Sequence, residues 1–171
     1  LSIIVSTYNS SRFIKGCLFD LVVQSIFKKL NCEIIVIDSG SNENESEIVG
    51  QFHQFYPFLK CIKSDNRLSL YEAWNLGINS SLGQYITNAN TDDRHHFKCL
   101  EMLIKKLDEN PTFDVAYGNL YKSTIPNESF DVNDKSVPCH PQRFYPGSFL
   151  LHDFIGAQPV WRRSLHERIG M

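Results

Sequence analysis

With 171 residues and 19.7 kDa, the chain has the size of one ordinary domain. Its 42% hydrophobic and 12% aromatic content excludes general disorder, because that much apolar surface can be buried against itself. Nineteen acids against seventeen Lys and Arg give a formal charge of −2 with no dense basic run, which excludes a nucleic-acid backbone as the main partner. Leu1–Val5 is a β-branched run, apolar on both faces as a central parallel strand should be. It gives way to polar residues 6–11, where Ser10 or Ser11 suits an N-cap. Helical spacing then joins Phe13, Ile14, Cys17, Leu18, Leu21, Val22 and Ile26. Cys32–Asp38 reads as a second buried strand, and Glu43, Glu45 and Glu47 crowd the start of a helix carrying Ile48, Val49, Phe52 and Phe55, where the dipole favours acids. A strand over Leu59–Lys63, a helix over Tyr71–Ser80 and a strand over Tyr85–Thr87 follow. The next helix carries Phe97, Leu100, Leu103, Ile104 and Leu107 and ends before Pro111, and Val115–Tyr117 is a fifth strand.

Strands alternating with helices predict an α/β fold with a mostly parallel central sheet. Beyond Gly118 the pattern loosens, and four prolines within residues 124–146 predict a long loop, of the kind that binds or covers a ligand or else is disordered. Order returns with a strand at Val160–Arg162 and a short helix from Ser164 towards Ile169. No apolar stretch reaches the ~18 residues of a membrane span. The five cysteines are widely spaced and form no CxxC, which suggests neither a disulfide framework nor a zinc site and points to a reducing compartment. The chain opens on an apolar run without Met, as expected of a piece of a longer protein.

Ligands of an open α/β sheet sit at the carboxyl ends of its strands. Here those ends carry residues 7–9 (TYN), 38–41 (DSGS), 65–67 (DNR) and 90–93 (NTDD), and three of the four contain carboxylates. GxGxxG and GxxxxGK[ST] are both absent, which removes the usual dinucleotide and P-loop readings. A carboxylate-rich site that handles phosphate needs a divalent cation between them, and Asp92 with Asp93 could hold Mg²⁺ or Mn²⁺ while a diphosphate supplies other ligands.

The strings SIIVSTYN, VIDSGSNENE, LYEAWNLGINSSLGQYI and NTDD, in this order and spacing, resemble the family 2 glycosyltransferases of the GT-A fold, with a weaker echo at PVWRRSLHERIG. The resemblance implies a Rossmann-like α/β/α sandwich, a nucleotide-diphosphate sugar donor (a UDP-sugar), a divalent metal and inversion at the anomeric carbon. The acceptor it implies is a glycan or a lipid-linked acceptor. It also implies that residues 1–118 form the nucleotide-sugar half of the domain and residues 119–171 the acceptor side, in the cytoplasm or peripheral at the inner membrane face. By position, Thr7, Tyr8 and Asn9 would line the pyrimidine and ribose pocket, and Asp38 would accept from the base. Ser41 and Arg67 would join the donor site, the latter near the diphosphate. Asn90 stands where the family has an acid and would bond a ribose hydroxyl, and Asp92 and Asp93 would share ribose and metal contacts. The family's catalytic base comes late, so it is expected beyond Met171, with Asp153 the candidate inside this sequence and Glu167 on a helix facing solvent.

A non-catalytic nucleotide-sugar or glycan-binding module on the same fold is the alternative, favoured by Ser39 and Asn90 where the family carries acids. A nucleotidyltransferase is disfavoured by the lack of a Gly-rich, basic first loop. His95 and His96 point about 100° apart on a helix and read as surface. Trp74 reads as core rather than as a sugar platform, Trp161 could stack on a sugar, and Arg162 and Arg163 suit phosphate or solvent equally.

Overall fold

The computed structural model describes residues 1–139, 147 and 155–171. Along the chain run β1 (Ser2–Thr7), α1 (Ser11–Val22), a 3-10 turn (Ser25–Lys28), β2 (Glu33–Asp38), α2 (Glu45–His53), β3 (Leu59–Lys63), α3 (Leu70–Asn79), β4 (Tyr85–Asn90) and α4 (Cys99–Asp108). Short strands β5 (Val115–Ala116), β6 (Leu120–Tyr121), β7 (Pro138–Cys139) and β8 (Val160–Arg162) follow, and α5 (Ser164–Ile169) comes last. Six strands form one sheet in the order β3-β2-β1-β4-β8-β5, parallel from β3 to β4. β8 runs antiparallel between β4 and β5. The late strand therefore displaces β5 from the neighbour position that sequential order would give it.

β1 is buried on both faces because its residues alternate between two cores. Ile3 and Val5 meet α1, α2 and α4 through a cluster that includes Ile14, Leu18, Leu21, Val49, Leu100 and Leu107. Ile4 points the other way, with Ile35, Ile37, Ala73, Ile78 and Ile86 under α3. This is the continuous apolar reading of a central parallel strand made physical.

Several boundaries differ from the sequence expectation. β4 continues through Asn88-Ala89-Asn90, because buried Asn88 and Ala89 keep the ladder with β1 where composition suggests a turn. α1 stops at Val22, and Ile26 is carried by the 3-10 turn. Phe55 and Phe97 lie outside their helices and are 78% and 46% exposed. The stretch read as a loop contributes β7, paired with β6 as a two-stranded ribbon. Trp74 is half-buried at the edge of the α3 core. Arg162 donates to the carbonyls of Phe113 and Leu107, and Arg163 to the carbonyl of Gly83, so both fasten β8 rather than wait for phosphate. Glu167 is exposed. Cys17, Cys32, Cys61 and Cys99 are free thiols, and among the described residues no helix is long and apolar enough to cross a membrane.

α3 begins with a capping box in which Ser69 Oγ accepts from Glu72 N–H and the Glu72 carboxylate accepts from Ser69 N–H. It lies close on β1 because Gly77 offers no side chain; a Cβ there would stand 2.5 Å from Ile4 Cγ2. Ile4 is fully buried and β-branched, so it cannot swing aside. The overpacking outweighs the helix propensity gained, and Gly77→Ala is expected to lower stability by about 1–2 kcal/mol. Urea denaturation checks this, and a raised midpoint would show that α3 can lift off the sheet at little cost.

Candidate functional site

Three strand ends meet at one edge. Thr7 ends β1 beside Asp38 of β2, and Ser6 pairs with Asn90 of β4. After β1 the chain turns through Asn9, whose φ of 48° lies in the left-handed region that Asn tolerates. Asn9 N–H donates to Ser41 Oγ at 3.2 Å, and Asn9 Oδ1 accepts from Asn42 N–H at 2.9 Å. The β1 and β2 turns are thus tied to each other.

Asp38 has no exposed surface. One of its oxygens accepts from Ser41 N–H at 2.8 Å and the other from Ser46 Oγ at 2.6 Å, with Lys63 Nζ at 3.9 Å. Burial alone would raise this carboxyl, but the hydrogen bonds from Ser46 and Ser41 and the Lys63 charge overcome it and hold it below the usual range. The residue expected to accept from a base is therefore enclosed in its own turn, where it shapes the site through Ser41. Gly40, at φ 74°, completes the turn, and a Cβ there would lie 3.0–3.2 Å from the backbone of Asn66 and Arg67. The loop after β3 consequently packs on this turn and delivers Arg67, whose guanidinium sits 4.3 Å from the centroid of the Tyr8 ring.

Of the acids expected to serve the α2 dipole, Glu45 and Glu47 do lie in its first turn, and Glu43 and Glu45 also reach across to α1. Glu45 Oε1 accepts from Ser10 N–H at 2.6 Å and Glu43 Oε2 from Ser11 N–H at 3.0 Å. Ser10 makes no side-chain cap; its hydroxyl pairs with Thr7 Oγ1 at 2.7 Å.

At β4, Asn90 Nδ2 donates to Asp93 Oδ2 at 2.8 Å, while Asp92 is exposed. Burial pushes the Asp93 carboxyl up, the Asp92 charge adds to this, and the Asn90 hydrogen bond offsets part of it. Two adjacent carboxylates with uncompensated negative charge suit a hard divalent cation. Among the described residues no cluster of three or more His, Cys, Asp or Glu could cage one. The donor set fits an ion that keeps waters and takes ligand oxygens, as Mg²⁺ and Mn²⁺ do.

The anchor of this turn escapes sequence reading. Arg94 Nε and Nη2 donate to the two oxygens of buried Asp20 on α1, at 2.7 and 2.8 Å, and His95 N–H adds a third bond at 2.9 Å. Arg94 Nη1 reaches the Asn127 carbonyl at 2.6 Å, and Asn127 Nδ2 returns to the Arg12 carbonyl at 2.6 Å. The sole sequence signal was Asp20, a charge on the apolar face of α1. His95, expected at the surface, is 9% exposed beside this pair with neither ring nitrogen partnered. His96 packs against Phe97 and Phe130 instead. Asp153 lies outside the described residues.

Residues 2–170 match the profile of glycosyl transferase family 2. The chain belongs to this family. Among curated relatives, glycosyltransferase GlyG of Streptococcus pneumoniae is 30% identical over 121 residues, covering 71% of this chain and 39% of the relative. An uncharacterized glycosyltransferase of Haemophilus influenzae is 27% identical over 160 residues, 94% of this chain and 51% of the relative. Two solved structures share the GT-A fold. They are a mannosyltransferase of Pyrobaculum calidifontis in complex with GDP-Man and Mn²⁺ (TM-score 0.72, 20% identity, 99% of this chain and 46% of that one) and S. aureus TarS 1-349 in complex with UDP-GlcNAc (TM-score 0.73, 19% identity, 98% and 46%). The chain thus spans about half or less of the length of these proteins, from 39% to 51%, and the GT-A core is the part it shares with the two solved structures.

Two outcomes test the anchor. Asp20→Ala strands the Arg94 guanidinium and the His95 N–H, and is expected to cost about 3–5 kcal/mol in denaturant unfolding; a loss below about 1 kcal/mol would show that water replaces the carboxylate. Burial holds the His95 imidazole down at about 4, against an ordinary 6.5. The unfolded chain therefore takes up its proton first, and stability falls as pH drops from 6.5 towards 4, by roughly 2–3 kcal/mol from this group. His95→Leu should flatten that part of the pH–stability curve, and superposable curves would place the ring in contact with water.

Proposed function

We propose that this family 2 domain transfers a sugar from a nucleotide-diphosphate donor, a UDP-sugar, to a hydroxyl of a glycan or lipid-linked acceptor, with a divalent cation and with inversion. The observation that carries the reading is the adjacent carboxylate pair Asp92–Asp93 at the end of β4, one strand away from the β1 turn, whose Tyr8 ring meets Arg67 of the loop after β3. Similarity to proteins complexed with UDP-GlcNAc and with GDP-Man and Mn²⁺ supports it.

In this reading Thr7, Tyr8, Asn9 and Ser41 meet the base and ribose, with Asp38 holding their turn in shape. Arg67 meets the diphosphate, and Asn90 orients Asp93 while Asp92 and Asp93 hold Mg²⁺ or Mn²⁺. When bound, the cation neutralises charge on the departing nucleoside diphosphate. In a single displacement the acceptor oxygen bonds to the anomeric carbon as the bond to the diphosphate oxygen breaks, which inverts the configuration. The hydroxyl proton passes to a carboxylate base, for which Asp153 is the candidate within this sequence. The acceptor approaches from the side of residues 119–171, and the reaction belongs to the cytoplasm or the inner membrane face, where thiols stay reduced.

Removing the cation with EDTA, or replacing Asp92 and Asp93 together by Ala, should abolish UDP binding measured by titration calorimetry in Mn²⁺ buffer while leaving the thermal midpoint unchanged. Unaltered affinity in the double variant would overturn the metal assignment. Release of UDP from a UDP-sugar, with and without acceptor, separates a transferase from a binding module that has lost turnover.

A further inference from the structure

Tyr8 and Arg67 are both rooted on the turn that follows β2. Asn9, next to Tyr8, bonds to Ser41 and Asn42, and Gly40 lies against the backbone of Asn66 and Arg67. Beyond Arg67 the chain is fixed again, because Leu68 packs against the α3 core and Ser69 caps that helix. Backbone packing therefore imposes the meeting of ring and guanidinium, at 4.3 Å from the ring centroid. The side chains themselves are held lightly. Both are exposed, Tyr8 by 36%. Arg94, Arg162 and Arg163 donate to carboxylate or carbonyl oxygens, and Arg168 pairs with Asp114. Among the described residues the Arg67 guanidinium makes no hydrogen bond or ion pair, and the Tyr8 ring is its partner.

A guanidinium on a ring face competes with any base that would stack there. At an exposed site the cation–π contact is worth a preference of about two- to fivefold, so it is readily exchanged. A diphosphate offers the guanidinium more. Each charge-assisted hydrogen bond to phosphate is worth on the order of tenfold or more, and the planar fork meets two oxygens at once. A nucleoside offers no such contact. We propose that Arg67 sets the selectivity of the donor site for nucleoside diphosphates over nucleosides. It covers the Tyr8 ring when no phosphate is bound and leaves the ring for the phosphates of a diphosphate ligand, which opens the ring to the base. This rests on the donor reading above, in which the base meets Tyr8 and a cation at Asp92–Asp93 holds the phosphates. Such a ligand crosses the end of β1, where the guanidinium already stands. A nucleoside is turned away because nothing in it draws the cation off the ring.

Uridine and UDP separate this role from a structural one. Their affinities are measured in Mg²⁺ buffer for the unmodified chain, Arg67→Ala and Arg67→Met, uridine by NMR titration and UDP by calorimetry. In both variants uridine should bind about two- to fivefold more tightly, because the ring is uncovered. UDP should bind about fivefold or more weakly, the lost phosphate contact less the cost of leaving the ring. Opposite signs for two ligands that share a base are not the mark of a residue that merely supports the loop. Arg67→Met keeps the apolar stem and removes the charge alone, so it keeps the test decisive if Arg67→Ala disturbs the loop after β3. Uridine and UDP weakening together would show that Arg67 and Tyr8 sandwich the base, and unchanged affinities for both would show that Arg67 meets neither ligand. Either result overturns the proposal while the donor reading stands. Failure of both ligands to bind the unmodified chain would overturn the donor reading, and the proposal with it.

Discussion

Parallel pairing of β1 with β2 on one side and β4 on the other sets Thr7 beside Asp38 and Ser6 beside Asn90. A slip of one residue in either ladder would send Ile4 into the wrong core and turn the strand-end side chains to the opposite face. Because Ile3, Ile4 and Val5 are all fully buried, the two cores that grip β1 from opposite sides forbid that slip. The position of the chemistry is thus a consequence of apolar packing several residues away from it.

Within that frame the carboxylates divide into two kinds. Asp38, Glu45 and Asp20 are buried and Glu43 is exposed, and all four accept from backbone N–H groups of loops and of the α1 N-terminus. These loops leave the sheet at its working edge, where regular structure no longer satisfies their donors, and a buried N–H without an acceptor would be expensive. Asp92 is exposed and Asp93 accepts from Asn90, and burial, with the neighbouring Asp92 charge added, raises the Asp93 carboxyl. Most of the acids at this strand edge are therefore scaffold.

This division explains what could be read from the residues alone. β1, β2 and the parallel order were legible because buried parallel strands write themselves as short β-branched runs, whereas β3, the edge strand Leu59–Lys63, is mostly exposed. The strand-end strings were legible because they recur as strings. Helix ends were blurred where an aromatic residue such as Phe55 or Phe97 continues the periodicity past the last buried turn. The capping box of α3 was present as Ser69-x-x-Glu72 and could have been found. The insertion of β8 beside β4, the ribbon, and the pairing of Asp20 with Arg94 depend on contacts across more than seventy residues or on strands of two or three residues, and no local pattern announces them.

The placement of Arg94 has a consequence for how the two sides of the site relate. Asn90 braces the Asp92–Asp93 turn from β4, while Arg94 braces it from α1 and, through the Asn127 carbonyl, from the segment that joins the ribbon strands. Asn127 in turn holds the Arg12 carbonyl at the start of α1, close to the Ser10 and Ser11 N–H groups that Glu45 and Glu43 fix against the β2 turn. A run of hydrogen bonds therefore links the start of α1, the ribbon segment and Arg94, the residue that follows Asp93 in the chain. Its middle link is a bidentate pair of fixed fork geometry, stiffer than a single hydroxyl or ammonium contact. Displacement of the 124–128 segment would act on the carboxylate turn through one guanidinium, so the segment is mechanically joined to that turn and not merely adjacent to it.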